Sequence, residues 1–232
     1  MADHINRNLN NRLVTCSLVG DLAGVASLLA QGADPHYGKS VALRIAAEQG
    51  HSECVEVLIP VSDPMAKDSL ALRVAACYGH AECVKLLIPV SAPKANDSNA
   101  LHLAARSGQV DCVRLLLPVS DPKVLNCNPL RLAASNGHVE CFLLLMQASS
   151  PLIEINGILR EALDTGQAGI LSIILAHEPR LLAEIDLAAT LADSVAEDHS
   201  ELAALLKSII EQQVLDTHLS PSPEATQKPS RL

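Results

Sequence analysis

The sequence contains almost no aromatic side chains. Among 232 residues there are two Tyr, one Phe and no Trp, although 49% of the residues are hydrophobic. The apolar content is therefore almost wholly Ala, Leu, Val and Ile, which suits short helices packed close together. The chain also lacks a run of Lys or Arg, and its formal net charge is −9. Without basic patches or aromatic platforms for bases, nucleic acid is not expected as a partner.

Long hydrophobic runs are absent as well. No apolar stretch approaches the roughly 18 residues that a membrane span needs, and the segment after Met1 has no signal-peptide core. We therefore expect a monomer in the reducing cytoplasm, with no membrane contact. The C-terminal Ser230-Arg231-Leu232 is similar to the peroxisomal Ser-Lys-Leu address, so a peroxisomal location stays open. Secretion as a microbial effector is the other alternative.

A segment of the sequence recurs with a fixed period of 29 residues. The stretch from Val41 to Pro60 returns as Leu70 to Pro89, as Asn99 to Pro118 and, less faithfully, as Asn128 to Gln147. The Ala/Pro-Leu step within it falls at Leu43, Leu72, Leu101 and Leu130. Such a period indicates stacked repeats that form one elongated domain. Function is then expected on an extended surface rather than in a pocket.

Each repeat has the pattern of an antiparallel helical hairpin. Leu43, Ala46 and Ala47 are spaced i, i+3 and i+4 on the first helix, and the second helix carries a broader apolar stripe. Gly50 follows the first helix, where a left-handed residue reverses the chain at low steric cost. Pro60 ends the second helix because proline cannot continue the hydrogen-bond ladder.

Residues 100–117, Ala-Leu-His-Leu-Ala-Ala-Arg-Ser-Gly-Gln-Val-Asp-Cys-Val-Arg-Leu-Leu-Leu, resemble the ankyrin repeat. The first unit adds a matching ending, Leu-Leu-Ala-Gln-Gly-Ala-Asp-Pro, at residues 28–35. The resemblance covers about residues 10–212 and implies an all-α solenoid of stacked helix-turn-helix repeats. These repeats are shorter than the family's roughly 33 residues. The deficit falls where ankyrin repeats project a β-hairpin, so short turns are expected there.

The predicted organisation contains seven helix pairs between two terminal segments. Residues 1–9 form a polar N-terminal segment, and the Ser/Pro-rich residues 214–232 are expected to be disordered. The ankyrin-repeat domain spans 10–213, with repeats near 10–37, 40–68, 69–97, 98–126, 127–155, 156–185 and 186–213.

Seven cysteines with histidines nearby could suggest a metal site, but their spacing argues against one. One cysteine recurs per repeat, at Cys54, Cys83, Cys112 and Cys141. Packed helices lie about 8–10 Å apart, whereas zinc needs every sulfur at about 2.3 Å and a disulfide needs Cα atoms within about 7 Å. We predict core packing for these cysteines. Histidines after the glycines are expected to form loop hydrogen bonds; they are His51, His80 and His138.

Arginine stands where the family's histidine is expected in four repeats, at Arg44, Arg73, Arg131 and Arg160. We predict a ladder whose stems cover apolar surface and whose heads meet acids or carbonyl groups, with direct partner binding as the alternative.

No nucleophile elbow, phosphate loop or metal-ligand helix occurs. We therefore predict no enzymatic activity, cofactor or metal. The resemblance implies a scaffold-type protein–protein interaction module that binds another protein through a concave groove and the inter-repeat turns. The open alternative is an enzyme or small-ligand-binding protein that uses the divergent C-terminal repeats.

Partner-binding residues are expected where the repeats differ, because stacking constrains the positions at which they agree. Most candidates lie at the ends of the first helices, and the others lie in the turns. They are Glu48, Gln49, Met65, Cys77, Tyr78, Lys94, Arg106, Ser107, Lys123, Ser135 and Asn136. Tyr78 and Arg106 are the preferred anchors, because Tyr and Arg are favoured at binding hot spots. Cys77 is expected to be exposed, as a contact residue or a reactive thiol.

Overall fold

The computed structural model describes residues 2–149 and 155–219. Within these ranges the chain forms fourteen α-helices and no β-strand, which confirms the predicted all-α class. The helices follow one another in the order of the seven predicted helix pairs. The first helices of the pairs are α1 (Ala2–Val19), α3 (Tyr37–Gln49), α5 (Ala66–Tyr78), α7 (Ala95–Arg106), α9 (Val124–Ser135), α11 (Ile155–Asp164) and α13 (Leu187–Ala196). The second helices are α2 (Leu22–Ala30), α4 (Ser52–Leu58), α6 (Ala81–Leu87), α8 (Val110–Leu116), α10 (Val139–Ser149), α12 (Ala168–His177) and α14 (Ser200–Leu219).

The chain divides into two compact units. The first ends at Glu161 and the second begins at Ala162, whereas the sequence predicts one repeat domain over 10–213. In the first unit, α1, α3, α5, α7 and α9 pack side by side as one layer, and α2, α4, α6, α8 and α10 form another. In the second unit, α14 packs against α13 and α12. The first unit carries every candidate binding residue.

The core of the first unit repeats the apolar pattern of the sequence. Leu72 and Leu101 of successive first helices have no exposed surface, and the alanines beside them let neighbouring helices approach closely. In α6, Cys83, Val84 and Leu87 are at most 1% exposed. Both predicted apolar stripes are therefore buried.

Short helical turns replace the projecting hairpins of the longer family repeats, as predicted. Pro89 stops α6 within the single 3-10 turn Ile88–Val90, and Pro60 does the same in the preceding pair. At the start of α5, Lys67, Asp68 and Ser69 then have φ values of 51°, 56° and 56°. A left-handed turn of L-residues costs roughly 1–2 kcal/mol per residue, so surrounding contacts must hold it.

The terminal segments are more helical than the sequence suggests. Helix α1 begins at Ala2, so it includes residues 2–9 of the predicted polar segment. Helix α14 continues to Leu219, six residues past the predicted boundary at 213, because no glycine or proline interrupts it before Pro221. The remainder of the predicted tail, 220–232, lies outside the described residues. No described helix combines the length and apolar character needed to cross a membrane.

Candidate partner-binding surface

The eleven candidate residues lie in two rows at opposite ends of the first helices. The helix-end row consists of Glu48, Gln49, Cys77, Tyr78, Arg106, Ser107, Ser135 and Asn136. The turn row consists of Met65, Lys94 and Lys123, which immediately precede α5, α7 and α9. The right-handed part of α5, after Ser69, is about 14 Å long at 1.5 Å per residue. The candidates therefore form two patches rather than one.

Tyr78 is the aromatic residue of the helix-end row. This side chain is 57% exposed, and its ring stacks on His80 with the ring centroids 6.5 Å apart. Beside it, Cys77 Sγ lies 3.6 Å from Ser107 Oγ, so the ends of α5 and α7 meet here. Cys77 is half-buried rather than exposed as predicted, whereas Arg106 is exposed.

The other members of the row differ in their freedom to bind. Gln49 and Asn136 are exposed, and Ser135 is half-buried. Glu48 is half-buried, and its Oε2 lies 3.1 Å from Nη1 of Arg44. This ion pair neutralises the charge of the Glu48 carboxylate. The central residues of the row are thus better suited to contact a partner than Glu48.

Histidines of the next pair fix the ends of the first helices. The Nε2 atoms of His51, His80 and His138 lie 3.1, 2.9 and 3.0 Å from the carbonyl oxygens of Leu18, Glu48 and Arg106, respectively. The loop role predicted for these histidines is therefore confirmed. These contacts hold the backbone of the helix-end row while its side chains vary.

Carboxylates hold two of the three residues of the turn row. Asp63 Oδ1 accepts a hydrogen bond from the Met65 backbone N–H at 3.0 Å, and Asp121 Oδ1 accepts one from Lys123 at 2.9 Å. Met65 is 58% exposed beside an open hollow of about 440 Å³, which Lys39 and other residues of the first two turns line. Lys94 and Lys123 are also exposed.

A row of buried serines, which the sequence analysis missed, links successive turns. Ser40, Ser69 and Ser98 are at most 2% exposed and have left-handed φ values. Their Oγ atoms accept hydrogen bonds of 2.9–3.0 Å from the backbone N–H groups of Asp63, Ala92 and Asp121 in the next turn. The available signal was the recurrence of serine every 29 residues. These serines position the turn row.

The arginine ladder is paired with acids at two of its positions. Arg44 lies 3.1 Å from Glu48 and Arg131 lies 3.2 Å from Glu161, as the structural interpretation of the ladder predicts. Arg73 is different: its Nε is buried without a hydrogen-bond partner, and it forms no ion pair with a described residue.

The cysteine ladder is buried as predicted. Cys54, Cys83, Cys112 and Cys141 are at most 1% exposed. Burial, with a smaller effect of the adjacent Asp111, raises the pKa of Cys112 to about 12, and burial beside Glu82 and Glu140 raises the pKa of Cys83 and Cys141 to about 11. Among the described residues no group of three or more His, Cys, Asp or Glu side chains could hold a metal ion.

A comparison with protein families finds repeats in the same part of the chain as the 29-residue sequence period. Residues 13–97 and 72–158 match the family model described as ankyrin repeats (3 copies). The chain belongs to the ankyrin-repeat family. Ankyrin repeats are generally protein–protein interaction modules. A comparison with curated proteins gives no match for this chain.

Proposed function

We propose that this ankyrin-repeat protein is a non-enzymatic module that binds another protein through the concave groove predicted over its first helices, aided by the inter-repeat turns. The observation that carries the proposal is that Tyr78 and Arg106 are both exposed at the ends of adjacent first helices. Both residue types dominate binding energy at protein interfaces. The histidine contacts hold the backbone beside them, which lowers the ordering cost of binding.

The alternative of a small-ligand site in the C-terminal pairs has less support. The second unit contains a cavity of about 270 Å³ near Asp164, Asp193, Glu197 and His199. Ligand pockets are usually larger than about 300 Å³ and mostly apolar, whereas this cavity is small and has several charged residues in its lining. Protein binding by the first unit therefore remains the favoured function.

Paired substitutions test the proposed surface. A partner is first isolated by affinity capture with mass spectrometry, and its affinity for the purified full chain is then measured. Tyr78→Ala combined with Arg106→Glu should weaken binding by roughly thirtyfold or more, because truncating a hot-spot residue costs about 2 kcal/mol or more. The helical circular dichroism spectrum and Tm should be retained, since both side chains are exposed.

The matched control is Glu56→Ala combined with Lys85→Ala, which changes two exposed residues of second helices. It should leave binding intact. If the control pair abolishes binding and the Tyr78/Arg106 pair does not, the partner binds on the second-helix side and the proposed surface is incorrect.

A further inference from the structure

Arg106 lies at the centre of the helix-end row, and Arg73 lies one turn before the row on α5. No described residue forms an ion pair with either one, in a chain where 26 acidic residues outnumber 17 basic ones. Arg44, Arg114, Arg131 and Arg180 each form an ion pair with a glutamate. Arg73 and Arg106 form none with the described residues. These two arginines are on adjacent first helices.

A change of residue type between repeats explains why Arg73 has no acid. On α3, Glu48 lies four residues after Arg44 and pairs with it at 3.1 Å. On α5 the equivalent position is Cys77, which cannot neutralise a guanidinium. Arg73 therefore has no acid four residues after it on α5, and its Nε is buried without a hydrogen-bond partner. A buried polar atom without a partner is costly; a docked carboxylate would reach the other guanidinium nitrogens of Arg73 rather than this Nε.

A contact between the ends of α5 and α7 lies between the two arginines. Cys77 lies four residues after Arg73, on the same face of α5. Its Sγ is 3.6 Å from Ser107 Oγ, and Ser107 directly follows Arg106. Tyr78 stands exposed beside this contact. We call Arg73, Cys77, Tyr78, Arg106 and Ser107 the cationic patch.

We propose that the cationic patch binds an acidic segment of the partner protein, in which an Asp or Glu carboxylate accepts hydrogen bonds from the guanidinium groups of Arg73 and Arg106. An apolar side chain next to that carboxylate covers the Tyr78 ring. This inference rests on the proposed function and specifies the chemistry of its partner. Charge-assisted arginine–carboxylate pairs are among the strongest hydrogen bonds in proteins, and a desolvated site strengthens them. Complementary charge also selects against basic segments.

Peptide selection tests this chemistry directly. A phage-displayed library of short random peptides is selected on the immobilised full chain, and enriched peptides are synthesised and titrated. We expect an Asp or Glu at one fixed position beside an apolar residue. Replacing that acid by Gln or Asn should weaken binding by about tenfold or more. Arg106→Gln and Arg73→Gln should have the same effect, and added salt should weaken binding to the unchanged chain more than binding to either variant.

Two controls separate local from general effects. Lys85→Gln removes one exposed positive charge from a second helix and should leave the affinity unchanged, so a loss there would indicate dependence on net charge alone and overturn the proposal. A peptide with Lys in place of the key acid should bind the Arg106→Glu variant more tightly than it binds the unchanged chain. Because Arg106 is exposed, its variants test the proposal even if Arg73→Gln fails to fold.

The outcomes also separate this inference from the proposed function. If enriched peptides lack a preferred acid, or bind both Arg→Gln variants with unchanged affinity, the acidic-partner inference is overturned. If these peptides nevertheless bind the Tyr78→Ala variant more weakly than the unchanged chain, the proposed binding surface is supported although the acidic-partner inference is not. If no peptide is enriched, the result counts against both.

Discussion

His80 lies directly over Gly50 of the preceding helix pair. Its Nε2 is 2.9 Å from the Glu48 carbonyl oxygen, and a methyl group added to Gly50 would lie 2.5 Å from its Nδ1. Gly50 also has a φ of 79°, in the left-handed region that favours glycine. The glycine is thus required both by its own backbone and by the histidine of the next repeat.

Gly50→Ala should therefore destabilise the protein more than the backbone strain alone predicts. Left-handed alanine costs about 1–2 kcal/mol, and displacement of the His80 ring adds about 0.5–1.5 kcal/mol for the lost hydrogen bond. The free energy of unfolding from urea titration measures the sum.

Gly32 offers a matched control because its φ is 89° but no atom lies within 4 Å of an added methyl group. Gly32→Ala should show only the backbone cost. In a protein that already carries His80→Ala, Gly50→Ala should lower the free energy of unfolding by less than it does in the unchanged protein, because the ring that it would clash with is gone. Equal losses for Gly32→Ala and Gly50→Ala would contradict the role given to His80.

Repeating features of the fold could be predicted from sequence because each has a direct physical cause. The spacing of Leu101 and its equivalents specifies a buried helix face, and glycine at Gly50 and proline at Pro60 specify where helices end. The turns were harder: left-handed Lys67 and Ser69 are not residue types that suggest this conformation. Their geometry depends on contacts such as that of Ser69, which connect residues 23 positions apart.

The candidate binding surface could be predicted only in part. Variation between repeats identified Tyr78 and Arg106 as residues free to face solvent, and both are exposed. It could not show that Met65 lies at the opposite end of α5 from Tyr78 on a separate patch. Nor could it show that Arg73 lacks an acid, because that depends on which side chains meet across neighbouring helices.

Ser69→Ala should destabilise the protein by about 1–3 kcal/mol. The Ser69 Oγ accepts the backbone N–H of Ala92 at 2.9 Å in a buried site, and alanine leaves that donor unsatisfied. Ser62→Ala is the control, because the buried Oγ of Ser62 has no hydrogen-bond partner to lose. Thermal unfolding should separate the two variants, and an equal loss from both would refute the linking role of the buried serines.

Leu101→Ala should lower the free energy of unfolding by roughly 2–5 kcal/mol, because it leaves a cavity at a fully buried position of a central first helix. Since each repeat contacts only its neighbours, the loss should also separate the unfolding of the two flanking parts of the stack. Urea titration should show a broader or two-step transition. Leu18→Ala, at a site that is 46% exposed, should cost far less and keep the transition sharp.

The buried thiols should be unreactive in the native protein near neutral pH. Only the thiolate attacks a labelling reagent, and burial keeps Cys83, Cys112 and Cys141 protonated by raising the pKa values to about 11, 12 and 11. Mass spectrometry after brief labelling should find modification at half-buried Cys77 first. These three cysteines should react only after denaturation. Equal labelling of all described cysteines would show that the ladder is accessible.

The same shifts predict that stability falls at alkaline pH. Well below the unfolded thiol pKa of about 8.5–9 these thiols are protonated in both states, so they add no pH dependence. Between pH 9 and about 11–12 the unfolded chain releases thiol protons that the folded chain retains, so the free energy of unfolding decreases as pH rises. Cys112→Ala removes the thiol with the largest of these shifts and should make this decline shallower, whatever its effect on stability at pH 7. An unchanged slope in urea titrations across this range would mean that the Cys112 thiol ionises alike in both states.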